Sequence, residues 1–130
     1  MSTDRVGDFI VRLKNATAAE KSAVSLPHST YLEAIAKKLH ELGFVAAVSV
    51  EGDAKKTLTV ALARDEAGRP KIRGVRRLSK PGRRLYLAHH EAHEVKEGLG
   101  ARILSTPSGI VSDTEARKAR LGGEDLFEIW

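Results

Sequence analysis

The chain has 130 residues, 42% hydrophobic and 30% charged, with a net charge of +5. This composition is sufficient for the core of one domain or two small lobes, and its dispersed charges are not typical of disorder. The absence of cysteine excludes disulfides and thiolate metal sites. No apolar run reaches the ~18–20 residues that a membrane span requires, and the N-terminus lacks the features of a signal peptide. We therefore expect a cytosolic protein without a membrane segment.

Two amphipathic helices are predicted in the first half of the chain. Asp4 is the expected N-cap of a helix over residues 4–17, and Ser29 caps a second helix that ends at Gly43. Apolar residues recur at helical spacing in both segments, which gives each helix one buried face. The predicted buried faces are Val6, Phe9, Ile10 and Leu13 in the first helix, and Tyr31, Ile35, Leu39 and Leu42 in the second.

Three strands accompany these helices. A short strand over residues 22–26 stops at Pro27, and strands over residues 44–50 and 57–63 form a hairpin. In the last of them, apolar residues alternate with small or polar ones, which predicts one buried face: Leu58, Val60 and Leu62. The polar stretch over residues 64–70 is the expected boundary between an N-terminal α/β lobe, residues 1–66, and a C-terminal β-rich lobe, residues 67–130.

Short strands and turns are predicted for the second half of the chain. The expected strands are residues 71–78, 85–88, 101–106, 110–112 and 126–130, with helical stretches near residues 89–96 and 113–120. Ser112 and Glu115 match a capping box, so a helix should begin there. Residues 106–109 match a type I turn that a left-handed Gly109 closes as a bulged hairpin. This turn is expected to present its hydroxyl residues at an exposed tip: Ser105, Thr106 and Ser108.

Basic residues are concentrated in residues 64–84. This segment contains nine cations and two carboxylates and therefore carries +7, whereas the remaining 13 basic and 15 acidic residues give −2. Such a stripe is typical of a protein that binds a polyanion, although a solvated charged face gives the same pattern. Small hydroxyls on tight turns beside arginine favour contacts to phosphate and sugar. Because aromatic residues make up only 5% of the chain, we expect recognition of RNA shape and 2′-hydroxyls rather than base stacking.

Motifs for catalysis or metal binding are poorly represented. Gly98-Leu99-Gly100 precedes a strand instead of opening a helix, and Ser108 lacks the frame of a nucleophile elbow. Three histidines lie close in sequence, but no cysteine or HExxH pattern accompanies them, and an exposed polar turn is the preferred interpretation: His89, His90 and His93. No metal, cofactor or catalytic residue is predicted.

Several separate motifs follow one another along the chain in a distinctive order. They are residues 8–15 with their basic-Asn pattern, Pro27, Ser29, Gly43-Phe44, residues 79–86, Gly98-Leu99-Gly100, Ser105-Thr106 with Gly109, Asp113 with Ala116-Arg117, and Gly122-Gly123-Glu124. In this order, and without large gaps, they resemble the bacterial small-subunit ribosomal protein eight family. The resemblance covers essentially the whole chain.

The resemblance implies an α+β fold of two small lobes, α-β-α-β-β at the N-terminus and mainly β with a short helix at the C-terminus. It implies a structural constituent of the small ribosomal subunit rather than an enzyme. Such a protein binds the central domain of 16S rRNA at an irregular helix, contacts neighbouring small-subunit ribosomal proteins and helps to assemble the 30S platform. Family members commonly repress their own operon by binding a similar mRNA structure.

Matched to the family's motifs, the expected RNA-binding residues are Arg12, Lys14, Asn15, Lys80, Arg83, Arg84, Tyr86, Ser105, Thr106, Ser108, Gly123 and Glu124. Some positions depart from the family. Pro107 stands where the family often has serine, and Ser108 stands where it often has a longer polar or basic residue. The family's second helix usually opens with lysines near the positions of Thr30 and Leu32, which this chain lacks. Residues 89–93 are rich in histidine instead of lysine. These departures would weaken or relocate individual contacts.

Three alternatives stay open at this point. Glu124 could accept a hydrogen bond from RNA, or it could accept from backbone N–H groups and hold the Gly-Gly loop in shape. The basic stripe alone would also suit an RNA-binding module outside the ribosome. A small hydrolase would have to use His93, Glu124 or Ser108.

Overall fold

The computed structural model describes residues 4–130 as an α+β protein of two compact units. One unit is Asp8–Arg73. The other is Gly74–Trp130 together with the described residues up to Gly7. This division lies later in the chain than the boundary predicted after residue 66. The α+β class is confirmed.

The N-terminal unit is built from two helices and a three-stranded antiparallel sheet of order β1-β3-β2. Its elements are α1 (Arg5–Ala18), β1 (Ala23–Pro27), α2 (Thr30–Glu41), β2 (Val45–Glu51) and β3 (Thr57–Leu62). This order is the predicted α-β-α-β-β. The first turn of α1 belongs to the C-terminal unit.

The helices begin at the predicted caps. The Asp4 carboxylate accepts from the Gly7 backbone N–H at 3.0 Å, and the Ser29 hydroxyl accepts from the Leu32 N–H at 3.1 Å. Asp4 also pairs with both terminal nitrogens of Arg77. The hydrogen bond from Arg77 lowers the pKa of the Asp4 carboxyl below its ordinary value. This N-cap therefore carries a charge that is neutralised within its own unit.

The buried face of α2 differs from the predicted one. Tyr31 and Leu42 are exposed, so their assignment to the core is wrong. Ile35 and Leu39 are buried as predicted, and Leu32 and Ala36 complete the stripe in place of Tyr31 and Leu42. Because neighbouring residues lie about 100° apart around a helix, the packing partner rather than the periodicity decides which residues flank the centre of the stripe. In α1 and β3 the predictions are confirmed for Phe9, Ile10, Leu13, Leu58, Val60 and Leu62.

The C-terminal unit is organised around its last strand. Its elements are β4 (Val75–Arg77), β5 (Tyr86–Leu87), β6 (Ala101–Thr106), β7 (Gly109–Ser112), α3 (Asp113–Ala119) and β8 (Gly123–Ile129), with single 3-10 turns at His89–Glu91 and Lys96–Gly98. The antiparallel sheet has the order β4-β8-β6-β7, and β5 also pairs with β8. Because β8 begins at Gly123 rather than at residue 126, Gly123 and Glu124 belong to the sheet and not to a loop.

The predicted start of a helix at Ser112 is confirmed by the hydrogen bonds of α3. The Ser112 hydroxyl accepts from the Glu115 N–H at 3.3 Å, and the Glu115 carboxylate accepts from the Ser112 N–H at 3.1 Å. This is the predicted capping box.

The core of the sheet is formed by Ile103, Leu104, Leu126, Phe127 and Ile129. None of the helices in residues 4–130 is long and apolar enough to cross a membrane.

Candidate nucleic-acid interface

Strand register places three of the predicted site residues side by side. Glu124 on β8 pairs with Tyr86 on β5 at one side and with Ser105 on β6 at the other. Directly paired residues of antiparallel strands project from the same face of a sheet. One face of the C-terminal sheet therefore carries Tyr86, Glu124 and Ser105, which we call the paired face. The Tyr86 side chain is 68% exposed and open to a partner.

Glu124 connects the paired face to the basic turn, residues 79–86. Its Oε2 accepts from the Ser79 hydroxyl at 2.5 Å and from Arg84 Nη1 at 2.9 Å. Ser79 is only 2% exposed, and its Oγ also accepts from the Leu85 N–H at 3.2 Å. Within residues 4–130, Glu124 Oε1 accepts no hydrogen bond. Glu124 therefore stabilises the basic turn through the side chains of Ser79 and Arg84. It does not accept from backbone N–H groups of a Gly-Gly loop.

The basic turn presents two cations at its corner. Lys80 and Arg83 exchange two backbone hydrogen bonds of 3.0 Å each, so Pro81 and Gly82 form a tight two-residue connection. Lys80 and Arg83 are exposed and form no ion pair within the described part of the chain. Arg84, in contrast, is paired with Glu124. The corner therefore offers its charge to an external anion through Lys80 and Arg83.

The hydroxyl turn, residues 105–109, differs from the prediction at Thr106. Thr106 pairs with Gly109, whose φ of +115° closes the turn around Pro107 and Ser108. Thr106 Oγ1 donates to the Gly109 carbonyl at 2.8 Å and accepts from the Ser108 N–H at 3.1 Å. Its side chain is 9% exposed. The expectation that Thr106 lies at an exposed tip is wrong, because its hydroxyl holds the turn together.

Ser105 and Ser108 keep hydroxyls that a partner can reach. Ser105 is half-buried, and Ser108 is exposed at the end of the hydroxyl turn. Successive residues of a strand project from opposite faces, so Ser105 and Thr106 point to different sides of the sheet. Only Ser105 joins Glu124 on the paired face.

The two glycines before Glu124 allow β8 to approach its neighbours closely. A β-carbon on Gly122 would lie 2.7 Å from the Leu87 carbonyl oxygen. A β-carbon on Gly123 would lie 2.9 Å from the carbonyl carbon of Ser105, and closer still to its oxygen. These are backbone atoms that cannot move aside without moving a strand. The Gly-Gly sequence is therefore required by the spacing of the sheet at the paired face.

A buried ion network supports the strand register beside Glu124. Arg102 donates to Asp125 at 2.7 Å and to Glu128 at 3.0 Å across the β6–β8 pair. Burial raises the pKa of the Asp125 carboxyl above its ordinary value, although Arg102 acts in the opposite direction. Sequence reasoning missed this network and the buried hydroxyl of Ser79. The carboxylates of the otherwise apolar last strand were the available signal for the network, whereas no local pattern indicated Ser79.

The predicted residues of α1 lie in the N-terminal unit. Arg12 pairs with Asp8 at 3.1 Å and donates to the Ser25 carbonyl at 2.7 Å, so it covers a backbone acceptor of β1. Lys14 and Asn15 are exposed on the same helix. Arg12 and Asn15 also line an open groove of about 410 Å³ between α1 and β1, together with Ala16, Ala19, Lys21, Ala23, Val24 and Ser25.

The +7 segment is not a uniform stripe of free cations. It is divided between the two units at Gly74. Several of its arginines are engaged within the protein: Arg64 with the Glu20 and Gly68 carbonyls, Arg69 and Arg73 with Asp65, Arg77 with Asp4, and Arg84 with Glu124. The remaining cations are exposed and form no ion pair among the described residues: Lys71, Arg76, Lys80 and Arg83. Much of the segment's charge therefore serves the fold.

The residues required for a hydrolase are not assembled. Glu124 contacts Ser79 and Arg84 rather than His93 or Ser108. The rings of His89 and His90 meet edge to face at 5.4 Å. In residues 4–130, no group of three or more His, Asp or Glu side chains is gathered in a way that could hold a metal ion.

Comparison with known proteins gives a consistent result. The family described as "Ribosomal protein S8" matches residues 4–130. Three similar proteins are each named small ribosomal subunit protein uS8. The one from Alcanivorax borkumensis is 44% identical, covering 97% of this chain and 96% of the relative. The one from Chloroflexus aurantiacus is 43% identical, covering 98% and 97%, and the one from Sorangium cellulosum is 40% identical over the full length of both.

The family match and these relatives define a structural protein of the small ribosomal subunit, not an enzyme. The chain belongs to the ribosomal protein S8 family. The family resemblance seen in its motifs is confirmed. As a ribosomal protein it is part of a cytoplasmic ribonucleoprotein that carries out translation.

Proposed function

We propose that this protein binds the central domain of 16S rRNA as a primary binder and helps to assemble the 30S platform. The observation that carries the proposal is the alignment of Tyr86, Glu124 and Ser105 on one sheet face, beside the free cations of the basic turn. An exposed aromatic ring, a free carboxylate oxygen and a hydroxyl match an irregular RNA helix, where a base or ribose is accessible. Lys80 and Arg83 would meet the phosphates that flank it.

The N-terminal unit would contribute phosphate contacts of lower specificity. Lys14 and Asn15 are exposed, and Arg12 keeps a partly exposed guanidinium beside the groove between α1 and β1. Footprinting of the protein on small-subunit rRNA tests the whole proposal. Protection confined to one irregular helix of the central domain is expected, and protection elsewhere or none would contradict it.

The same surface would recognise an mRNA structure that resembles the rRNA site, and we propose repression of the protein's own operon on this basis. The paired face would read RNA shape and ribose, which a folded mRNA leader can reproduce. In a competition experiment, the rRNA fragment is expected to displace the protein from the leader of its own operon. Independent binding of the two RNAs would contradict a shared surface.

Binding should depend on salt through the basic turn. Neutralising Lys80 and Arg83 together is expected to flatten the slope of log affinity against log salt by about 2 units at most, because each free cation replaces roughly one counterion. Replacing Arg83 and Arg84 should have a smaller effect, since Glu124 already neutralises Arg84. Lys55, exposed in the hairpin between β2 and β3, is the matched control. An unchanged slope in the Lys80 and Arg83 variant would mean that the turn does not face RNA.

Specificity should depend on Ser105 and stability on Thr106. Ser105→Ala is expected to weaken cognate rRNA binding about fivefold, since a neutral hydrogen bond contributes about 1 kcal/mol, and to leave a scrambled duplex unaffected. Thr106→Val should instead lower the melting temperature, because it removes both hydrogen bonds that hold the hydroxyl turn. Equal losses on cognate and scrambled RNA for Ser105→Ala would contradict a role in recognition.

A further inference from the structure

The acidic loop, residues 94–100, has an unusual backbone. Lys96, Glu97 and Gly98 follow one another with φ values of +50°, +55° and +88°. The left-handed region is unfavourable for a residue with a β-carbon, and two such residues in succession are uncommon. A conformation of this kind persists only where the surrounding structure imposes it, and it is found most often at functional surfaces.

The acidic loop is closed by hydrogen bonds to one of its own residues and packs against the end of the sheet. The backbone N–H groups of Gly98 and Gly100 both donate to the Val95 carbonyl, at 3.1 and 3.0 Å. Val95 is buried, and a β-carbon on Gly100 would lie 2.6 Å from the Ile129 carbonyl oxygen. The Lys96 ammonium lies 4.6 Å from the centre of the Trp130 ring, a cation–π contact that occupies this cation. These contacts keep the loop beside Trp130 and the end of β8.

This fixed loop projects an apolar side chain into solvent. Leu99 is 85% exposed, more than any other large apolar residue of the described chain. A single exposed leucine on a mobile loop needs no explanation. Here Leu99 follows three residues with positive φ, and two carboxylates belong to the same loop. Glu97 is exposed in the loop itself, and Glu94 Oε2 lies 3.9 Å from the position of a β-carbon on Gly98.

We propose that Leu99 anchors a docking surface for a basic protein of the small subunit, separate from the paired face. An apolar pocket of that protein would receive Leu99, and its lysines or arginines would meet Glu94 and Glu97. Charge argues against RNA as the partner, because these carboxylates repel phosphates while Lys96 is engaged with Trp130. Leucine also offers neither a hydrogen bond nor a stacking surface. A fixed apolar anchor with a charged rim is the usual form of a protein-docking site.

The test compares Leu99→Ser with Val50→Ser in the full-length protein. Val50 is a suitable control because it is an exposed apolar residue on β2, in the other unit and outside the proposed RNA contacts. Each variant is measured for affinity to a central-domain rRNA fragment. Each is also measured for occupancy of small subunits reconstituted from rRNA and the complete set of small-subunit proteins, in competition with the unsubstituted protein. Leu99→Ser is expected to bind the fragment normally but to lose about tenfold in occupancy, as for an interface hot spot. Val50→Ser should change neither.

Two results would overturn the proposal. An equal loss of affinity for the rRNA fragment alone would assign Leu99 to an RNA contact, and undiminished occupancy would show that Leu99 anchors nothing. Charge reversal at Glu94 and Glu97 provides a second variant that leaves Leu99 in place, and it should lower occupancy in the same assay. A photoreactive leucine analogue at position 99 should crosslink to a basic protein of the reconstituted subunit and not to rRNA. Because the fragment assay reports the paired face by itself, failure of this proposal is distinguishable from failure of the proposed RNA function.

Discussion

Gly123→Ala is expected to destabilise the protein by about 3 kcal/mol, which corresponds to a fall in melting temperature of about 10 °C. The added β-carbon would lie 2.9 Å from both the Ser105 carbonyl carbon and Thr106 Cγ2. These atoms belong to β6 and the hydroxyl turn, so relief requires β8 and β6 to separate. Separation would also displace Glu124 from Ser105, and cognate rRNA affinity should fall with stability. Thermal unfolding and rRNA binding measure the two effects.

Gly82→Ala is the matched control for this substitution. A β-carbon at Gly82 meets no atom within 4 Å, and the residue does not need a positive φ. We expect Gly82→Ala to leave the melting temperature unchanged or to raise it slightly, because alanine restricts the unfolded chain. A Gly123→Ala protein with unchanged stability and unchanged rRNA affinity would contradict the close approach of β8 to β6.

Glu124→Ala is expected to lower the unfolding free energy by about 2 kcal/mol, chiefly by leaving the buried Ser79 hydroxyl without its acceptor. Loss of the ion pair with Arg84 adds little, because that guanidinium is exposed and screened. Cognate rRNA affinity should fall at least tenfold (about 1.4 kcal/mol), since both the free Oε1 and the position of the basic turn are lost. Ser79→Ala should reproduce part of the stability loss while leaving the carboxylate available to RNA.

Glu124→Gln separates direct contact from support of the fold. Its amide oxygen can replace Oε2 as the acceptor for Ser79, so the melting temperature should change little. Its amide nitrogen then occupies the place of Oε1 and donates where the carboxylate would accept. We expect about a tenfold loss of cognate affinity if Glu124 contacts a base amino group or a 2′-hydroxyl. Normal binding by Glu124→Gln, together with an unstable Glu124→Ala protein, would restrict Glu124 to a structural role.

Local features of the chain could be predicted because they depend on neighbours in sequence. The caps at Asp4, Ser29 and Ser112 satisfy the first N–H groups of their own helices, so the sequence identified each helix start. The alternation in β3 predicted its buried face for the same reason. The family, too, could be recognised from short motifs whose order along the chain is itself a property of sequence.

Features that depend on packing were predicted less well. Periodicity identified Ile35 and Leu39 in the buried stripe of α2 but wrongly added Tyr31 and Leu42, because the packing partner decides which residues flank the stripe. Charge counting predicted a basic stripe, whereas Asp4, Asp65 and Glu124 neutralise several of its arginines. Thr106 was expected to present its hydroxyl at an exposed tip, but the hydroxyl forms two hydrogen bonds within the turn.

The sequence by itself determined the order of the elements in the N-terminal unit, the helix caps, the family and part of the N-terminal core. It was less accurate in the C-terminal unit, where a helical stretch predicted near residues 89–96 is replaced by two 3-10 turns and β8 begins before residue 126. Only the tertiary structure decided which site residues act together. Tyr86, Ser105 and Glu124 come from three separate strands, and their alignment depends on how β5 and β6 register against β8. That register is decided by close backbone contacts at Gly122 and Gly123 and by the Arg102 network across β6 and β8. Such contacts join residues far apart in the chain, and no local pattern of residue types encodes them.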